Sequence, residues 1–327
     1  MKRFIAEFEP QSFTQIIFPH KESDWVEYLE EAQDNFIEII QAIIKYQKCL
    51  VICDDIERVK QYFEQNENLL FVEYQTDDTW ARDCSSLSIV QNNTIKLLDF
   101  KFTGWGGKFE AQKDNAMTQS IQKEYENEIE NIDFILEGGA VDSNGEGLLL
   151  TTSQCMLNPN RNSSFTKEQV THKLKENFGI DNVLYLHHGY LAGDDTDSHI
   201  DTLARFIDKK TILYVKCEDK EDEHYRELQL MEKELEVFAK EYKLMLIALP
   251  MSEAIYFKGE RLPATYANFL FINGAVLIPT YGVKEDEKAL SIFKEIFKNR
   301  DIIGIDCQTL IKQHGSLHCV TMNFQSL

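Results

Sequence analysis

The chain has 327 residues, 43% of them apolar and 27% charged, and a formal net charge of -21: a soluble composition with material for a large core. Such acidity disfavours nucleic acid as a partner, because phosphate binding needs clustered Lys and Arg, and it favours a cationic small molecule. The seven cysteines are scattered without a Cys-x-x-Cys pair, which fits reduced thiols in a cytosol and argues against a disulfide framework or a structural zinc site.

The N-terminal Met1-Lys2-Arg3-Phe4-Ile5-Ala6-Glu7 meets an acid before any apolar run develops. No stretch approaches the ~18 consecutive apolar residues of a membrane span. A soluble, cytoplasmic protein with no membrane partner is expected. Helices are expected over 24–46, where Asp24-x-x-Glu27 resembles a capping box, over 115–127, over 166–178 behind Thr166-x-x-Gln169, over 222–242 and over 285–298. Strand candidates fill the intervals: 15–19, 50–54, 69–74, 86–90, 94–102, 134–141, 147–152, 183–187, 203–208, 211–216, 244–249, 269–272, 275–279, 302–305 and 319–323. Gln91-Asn92-Asn93, Ser143-Asn144-Gly145-Glu146, Lys209-Lys210 and Asn273-Gly274 mark hairpin turns. The rhythm is hairpin, helix, strand, about five times over. A simple doubly wound parallel sheet would not need so many hairpins. No Pro/Ser/Gly-rich linker divides the chain, so one domain over 1–327 is expected.

Four short segments hold residues with chemical potential. Gln313-His314-Gly315-Ser316-Leu317-His318-Cys319 places one cysteine after a polar, glycine-bearing loop. A Cys in an apolar run is by itself most often a buried small hydrophobe. What favours a nucleophile is the imidazole and carboxylates elsewhere in the chain. In Asp197-Ser198-His199-Ile200-Asp201, the period of an extended chain puts an imidazole between two carboxylates on one face, a pattern open to metal ligation, a hydrogen-bonded surface loop or catalysis. Trp80-Ala81-Arg82-Asp83 lies in a polar loop after a strand and reads either as a cation slot or as an Arg–Asp surface pair beside a core Trp. Glu137-Gly138-Gly139 ends an apolar strand; it is a turn, or a carboxylate placed to hold a histidine nitrogen. His318 faces away from Cys319 on a strand and is not taken as the base.

Taken together, these motifs resemble the agmatine deiminase family, within the guanidino-group-modifying superfamily that includes the peptidylarginine deiminases. The resemblance rests on Trp80-Ala81-Arg82-Asp83, Glu137-Gly138-Gly139, Leu148-Leu149-Leu150-Thr151-Thr152 with Cys155-x-x-Asn158-Pro159-Asn160-Arg161, Gly193-Asp194-Asp195-Thr196-Asp197-Ser198-His199-Ile200-Asp201 with Ala204-Arg205-Phe206, Tyr266-Ala267-Asn268-Phe269, and Gly315-Ser316-Leu317-His318-Cys319. It implies an α/β fold, the five-bladed propeller (pentein) of pseudosymmetric ββαβ units. It also implies Cys319 as nucleophile, His199 as general acid/base, Asp83 and Asp201 as guanidinium ligands, Glu137 orienting His199 or assisting at the guanidinium, and Trp80 lining the slot, with Asp197 also expected to bind substrate. Cys84-Ser85-Ser86 stands where the family often has Gly-Pro, Ser198 where Gly is frequent, and Gln313-His314-Gly315-Ser316 where it has a glycine-rich run. These departures touch loop shape rather than reacting groups.

The implied reaction is deimination of agmatine to N-carbamoylputrescine and ammonia through a covalent thiouronium on Cys319, within polyamine biosynthesis and without metal or organic cofactor. An acidic protein suits agmatine, which has a distal ammonium and no carboxylate, although Arg82, Arg161 and Arg205 leave open a clamp for free or peptidyl arginine. A non-catalytic propeller that binds a partner is the reading from another class. Assembly into a homo-oligomer is compatible with the sequence.

Overall fold

Short apolar runs between turn signals condense into strands, and the turns decide how those strands pair. The computed structural model describes residues 2–327, whose strands form five sheets of three or four strands and one small hairpin, Tyr256–Phe257 with Glu260–Arg261. One unit recurs. Leu87–Gln91 and Thr94–Lys101 pair antiparallel across Asn92 and Asn93, both with positive φ; the helix Gln112–Ser120 crosses back, and Glu128–Ile135 pairs parallel to Thr94–Lys101. The same order holds for Val141–Ser143, Leu148–Thr152, helix Lys167–Phe178 and Asn182–Leu186. It holds again for Ala204–Phe206, Thr211–Lys216, helix Tyr225–Tyr242 and Met245–Pro250, and for Leu270–Ile272, Ala275–Thr280, helix Glu285–Ile296 and Asp301–Asp306.

The fifth unit is shared by the two ends of the chain. Thr321–Gln325 pairs antiparallel with Gln11–Ile17, setting Met322 opposite Gln15, and the helix Leu29–Ile43 leads to the parallel strands Lys48–Cys53 and Leu69–Glu73. Parallel neighbours need a crossover of about a dozen residues or more. Each amphipathic helix supplies one and covers its sheet, as Leu29–Ile43 does by burying Ala32, Phe36, Ile39, Ile40 and Ile43 at helical spacing. Lys167–Phe178 opens on the expected capping box, with Thr166 Oγ1 accepting from the Gln169 N–H and Gln169 Oε1 from the Thr166 N–H.

Several expectations are corrected. Asp24 and Glu27 form no capping box: Asp24–Tyr28 is a 3-10 turn ahead of the helix, because Trp25 turns inward, fully buried, and donates its indole N–H to Thr79 Oγ1 at 2.7 Å. The helix expected over 115–127 lies earlier, at Gln112–Ser120. The strand expected over 134–141 is broken, ending at Ile135 and resuming at Val141 around a 3-10 turn at Gly138–Ala140. The glycine pair makes that break, and it leaves Glu137 outside both sheets. The architecture is a mixed α/β fold of separate sheets, none closed on itself among the described residues, where no helix is long and apolar enough to cross a membrane.

Candidate active site

Each of the five units begins after a short irregular segment; four of those segments carry the sequence-predicted groups and the other carries Asn268. Asp83 lies in the turn before Leu87–Gln91, Glu137 before Val141–Ser143, His199 and Asp201 before Ala204–Phe206, Asn268 before Leu270–Ile272 and Cys319 before Thr321–Gln325. Neighbouring segments touch in a closed ring. The Gly139 N–H donates to Asp83 Oδ1 at 2.9 Å, His199 Nε2 stands 3.9 Å from Glu137 Oε2, and Asn268 Nδ2 donates to the Asp201 carbonyl at 3.4 Å. The His318 N–H donates to Asn268 Oδ1 at 2.8 Å, and the Arg82 N–H to the Cys319 carbonyl at 3.1 Å, which closes the ring. Repetition of one unit thus brings together residues separated by most of the chain.

Cys319 Sγ lies 3.4 Å from Asn268 Oδ1 and 3.9 Å from Asp201 Oδ2. Asp201 Oδ2 also accepts from His318 Nδ1 at 2.7 Å, while Asp201 Oδ1 is buried with no hydrogen-bond partner. Asp83 Oδ2 accepts from the Trp105 indole N–H at 3.0 Å. His199 Nδ1 is 3.6 Å from Asp83 Oδ1, and its Nε2 is buried without a hydrogen-bond partner. Glu137 is gripped by Arg161 Nε at 3.0 and 2.8 Å.

The His199 loop is held in an uncommon backbone shape. Asp197 and Ser198 have φ of 67° and 65°, a left-handed pair that non-glycine residues rarely adopt and that clusters at functional sites. Asp194 braces it, Oδ2 accepting from the Ser198 N–H at 2.6 Å. Gly139 is required for a different reason. A Cβ there would lie 2.7 Å from His199 Nδ1, 2.9 Å from Asp83 Oδ1 and 3.1 Å from Asp201 Oδ2, inside the cluster of convergent side chains.

Burial and charge set the protonation of these groups. Burial pushes the Cys319 thiol well above its usual range, and Asp201 and Asp83 push it the same way. Burial alone would depress His199, yet Asp83 first, then Cys155 and Glu137, raise it well above the ordinary histidine range. Burial and then Asp201 raise Asp83, against the opposing His199. Asp201 is lowered, because burial is outweighed by the His318 hydrogen bond and charge, with His199 and Arg205 adding to them. Burial is likewise outweighed at Glu137, by His199 and Arg161.

Above this ring is a cavity of about 200 Å³ lined at its inner end by Trp80, Asp83, Trp105 and Cys319, and toward solvent by Asp24, Asp78, Asp195, Phe109, Gln313 and His314. Asp78 Oδ2 accepts from the Trp80 indole N–H at 2.9 Å, while its Oδ1 is buried without a partner. Burial, then Asp24 and Asp114, push Asp78 well above the carboxylate range, and burial with Asp194 lifts Asp195 to about 6. The three acids cluster along the cavity, where His314 and Lys108 offset part of the charge on Asp195. A larger groove of about 690 Å³, bordered by Phe13, Leu70 and Leu327, contains none of the predicted groups.

Residues 3–324 match the family model of Porphyromonas-type peptidyl-arginine deiminases. A C. jejuni agmatine deiminase, solved as a cysteine-to-serine variant with substrate bound, is 43% identical, superposes with a TM-score of 0.96, and the alignment covers 100% of this chain and 97% of that one. The chain belongs to this family, and within it to the agmatine deiminases. The agmatine deiminase of Stutzerimonas stutzeri is 28% identical over 97% of this chain and 93% of its own length. DDAH from Pseudomonas aeruginosa, 14% identical with a TM-score of 0.55 over 96% of this chain and 100% of that one, shares the fold.

Within this agmatine deiminase family member, Asp83, Glu137, His199, Asp201 and Cys319 converge, and Trp80 lines the cavity with its ring against Gly315, where a Cβ would lie 2.1 Å from the ring. Asp197, expected to bind substrate, is instead engaged by Arg161 Nη1 at 2.7 Å and Lys108 Nζ at 3.0 Å, and Asp195 and Thr196 line the cavity at this loop. The three arginines left open as a clamp are all committed to protein acceptors: Arg161 to Glu137 and Asp197, Arg205 to Glu7, and Arg82 to Asn323.

Sequence reasoning missed several participants. Trp105, at φ 54° within Gly104-Trp105-Gly106-Gly107, is both a cavity wall and a donor to Asp83; an aromatic enclosed by glycines was its only signal. Asn268, beside the Cys319 sulfur, was noted only as part of a motif. Glu137, Cys155 and His199 place possible ligand atoms within 4.8 Å of one another. The donor set fits a metal poorly, because the Arg161 guanidinium already occupies both oxygens of Glu137. The thinned glycine run is tied down by side chains: His314, at φ 66°, bonds the Gly193 carbonyl through Nδ1 at 2.7 Å, and Gln313 Nε2 donates to the Asp24 carbonyl at 2.6 Å.

Proposed function

We propose that this protein hydrolyses agmatine to N-carbamoylputrescine and ammonia, with Cys319 as nucleophile. The observation that carries this reading is the cavity: a buried thiol with Asp83 at its inner end and Asp201 3.9 Å from the sulfur, and the acids Asp24, Asp78 and Asp195 along the same cavity. Asp83 and Asp201 suit two edges of a guanidinium, through charge-assisted N–H···O bonds in its plane. Asp24, Asp78 and Asp195 suit an ammonium at the far end of the same molecule. With Arg82, Arg161 and Arg205 all engaged, the carboxylate of free arginine has no guanidinium left to meet it.

In the reaction we assign, burial first and then Asp201 and Asp83 hold the Cys319 thiol protonated, and guanidinium binding brings positive charge that offsets the carboxylates' share. Cys319 releases its proton to solvent, and the thiolate attacks the guanidinium carbon, forming a C–S bond as the C=N π pair moves onto nitrogen. His199 passes its proton to the departing nitrogen, the C–N bond breaks and ammonia leaves a thiouronium. His199 then takes a proton from water, the new C–O bond forms, the C–S bond breaks, and the ureido product leaves with the thiol restored. Glu137, anchored by Arg161, holds charge opposite the His199 imidazolium. Trp80 walls the slot.

The arrangement we infer for the fold is a five-bladed α/β propeller built as one domain, supported by the five repeated units and the ring of contacts between their leading segments. A cytoplasmic location fits seven free buried thiols. Ammonia release from purified protein with agmatine, arginine and a blocked arginine peptide in parallel tests the function. Release from agmatine alone, reduced about 10³-fold or more in Cys319→Ser, is the expected result; equal release in that variant would remove Cys319 from the mechanism.

A further inference from the structure

Behind the wall that carries Cys319 lies a charge network that the reaction above does not use. Glu7 follows the strand Lys2–Phe4 and reaches toward the ring from the opposite end of the sequence. Its Oε2 accepts from Arg205 Nη2 at 2.7 Å, and stands 2.5 Å from His318 Nε2 and 3.6 Å from Arg82 Nη1; its Oε1 accepts from the Phe271 N–H at 3.2 Å. His318 Nδ1 then reaches Asp201 Oδ2 at 2.7 Å. The order is carboxylate, imidazole, carboxylate, and the last is the one assigned to the guanidinium.

Ionised carboxylates only accept hydrogen bonds, so an imidazole with one on each nitrogen must carry two N–H groups and a positive charge. The two carboxylates are ionised in this arrangement. Burial would raise Glu7, but Arg205, His318 and Arg82 hold it well below the usual range. The distribution of bonds on Asp201 is asymmetric: Oδ2 receives His318 and faces the Cys319 sulfur, while Oδ1 is buried and unpartnered. A purely structural ion pair would satisfy both oxygens, because a buried acceptor without a partner is costly.

We propose that Glu7 and His318 are positioning residues for substrate binding: His318, clamped by Glu7, fixes Asp201 with Oδ2 beside the Cys319 sulfur and leaves Oδ1 as the free acceptor for a guanidinium N–H. The proposal rests on Asp201 being a guanidinium ligand. On the substrate side Asp201 is faced by Asp83, His199 and Cys319. On the far side stand Arg82 and Arg205, the latter also 3.6 Å from Asp142 through Nε. Both arginines are bonded elsewhere, Arg82 Nη2 to Asn323 Oδ1 and Arg205 Nη1 to the Phe269 carbonyl, so neither can replace His318 at Oδ2 without breaking those bonds.

His318→Gln and Glu7→Gln, each compared with wild type for melting and circular dichroism, test this in two assays. The first measures protection of Cys319 from iodoacetamide by guanidinium ion, the group shared by every candidate substrate. The half-protecting concentration is expected to rise about 10-fold or more in His318→Gln, by analogy with outer partners of ligand groups, and less in Glu7→Gln. The second follows agmatine turnover against pH. Asp201 loses the cation that keeps it ionised and begins to titrate with Asp83, so the acid limb of kcat/KM moves to higher pH and steepens toward two protons, with KM rising more than kcat falls. Unchanged protection and an unmoved limb in both folded variants overturn the proposal, as does a fall in kcat alone. If His318→Gln does not fold, Glu7→Gln decides, since it keeps the shape and removes only the charge. Wild-type protein inactive on agmatine, with guanidinium protection still weakened in the variants, would sink the agmatine reading and sustain this one.

Discussion

The two carboxyl groups proposed to flank a guanidinium are buried alike and treated oppositely. Asp83 and Asp201 are both fully enclosed, yet the first is raised above the carboxylate range and the second lowered. Desolvation pushes both upward. The difference lies in the partners: Asp83 is bonded to the neutral N–H groups of Gly139 and Trp105, whereas Asp201 is bonded to His318, which Glu7 backs with a second carboxylate. On the proposed reading, the Asp201 side keeps its charge in the empty site and the Asp83 side gains its charge when a cation arrives, so two bare carboxylates and a thiolate need not be held together beforehand.

The comparison can be broken at the residue both walls share. Gly139→Ala places a methyl within 2.7 to 3.1 Å of His199, Asp83 and Asp201, so at least one of the three must move. A displacement of about 1 Å at reacting groups costs on the order of 10²-fold in rate. We expect kcat/KM for agmatine to fall by at least that factor with little loss of melting temperature. Steady-state kinetics beside thermal denaturation checks this, and near-normal turnover would mean that the ring tolerates displacement.

Trp105→Phe sharpens the comparison by acting on one wall only. It keeps an aromatic cavity wall but removes the indole N–H that helps hold Asp83 down. Asp83 then titrates at still higher pH. Since turnover needs it ionised, the acid limb of kcat/KM moves upward, and activity lost near neutrality returns as pH rises. A loss of about 10-fold at neutrality is expected, the lower end for a hydrogen bond to a charged group. A loss that persists equally at alkaline pH would show that Trp105 acts through packing instead.

How far the sequence anticipates this site depends on whether a residue's role is local. Hairpins at Asn273-Gly274 and Ser143-Asn144-Gly145-Glu146, and the box at Thr166, were legible because each is decided within a few residues. The five reacting groups were reached through the motifs around them, and each sits in a segment leading into a strand. The capping box expected at Asp24 fails because Trp25 bonds Thr79, a partner 54 positions away. Glu7 was invisible for the same reason: it meets His318 across 311 positions, and nothing near Glu7 in the sequence marks it. Asp197 departs from the shared face that strand periodicity gave it with His199 and Asp201, because its backbone is left-handed there and its carboxylate meets Arg161 and Lys108.

The smallest expected effect lies at the mouth, and it separates capture from chemistry. Asp24 is exposed and lines the cavity opening, so Asp24→Asn should raise KM for agmatine about twofold to fivefold, the range of an exposed ion pair, and leave kcat and both pH limbs in place. The increase should fade as salt is added, because screening removes in wild type what the substitution removes in the variant. Asp78→Asn acts at a buried oxygen without a partner and should raise KM more, with weaker sensitivity to salt. A guanidine of similar length lacking the distal ammonium should be indifferent to both substitutions. If it is not, the mouth acids shape the slot, and the two walls would then owe part of their geometry to charges outside the ring.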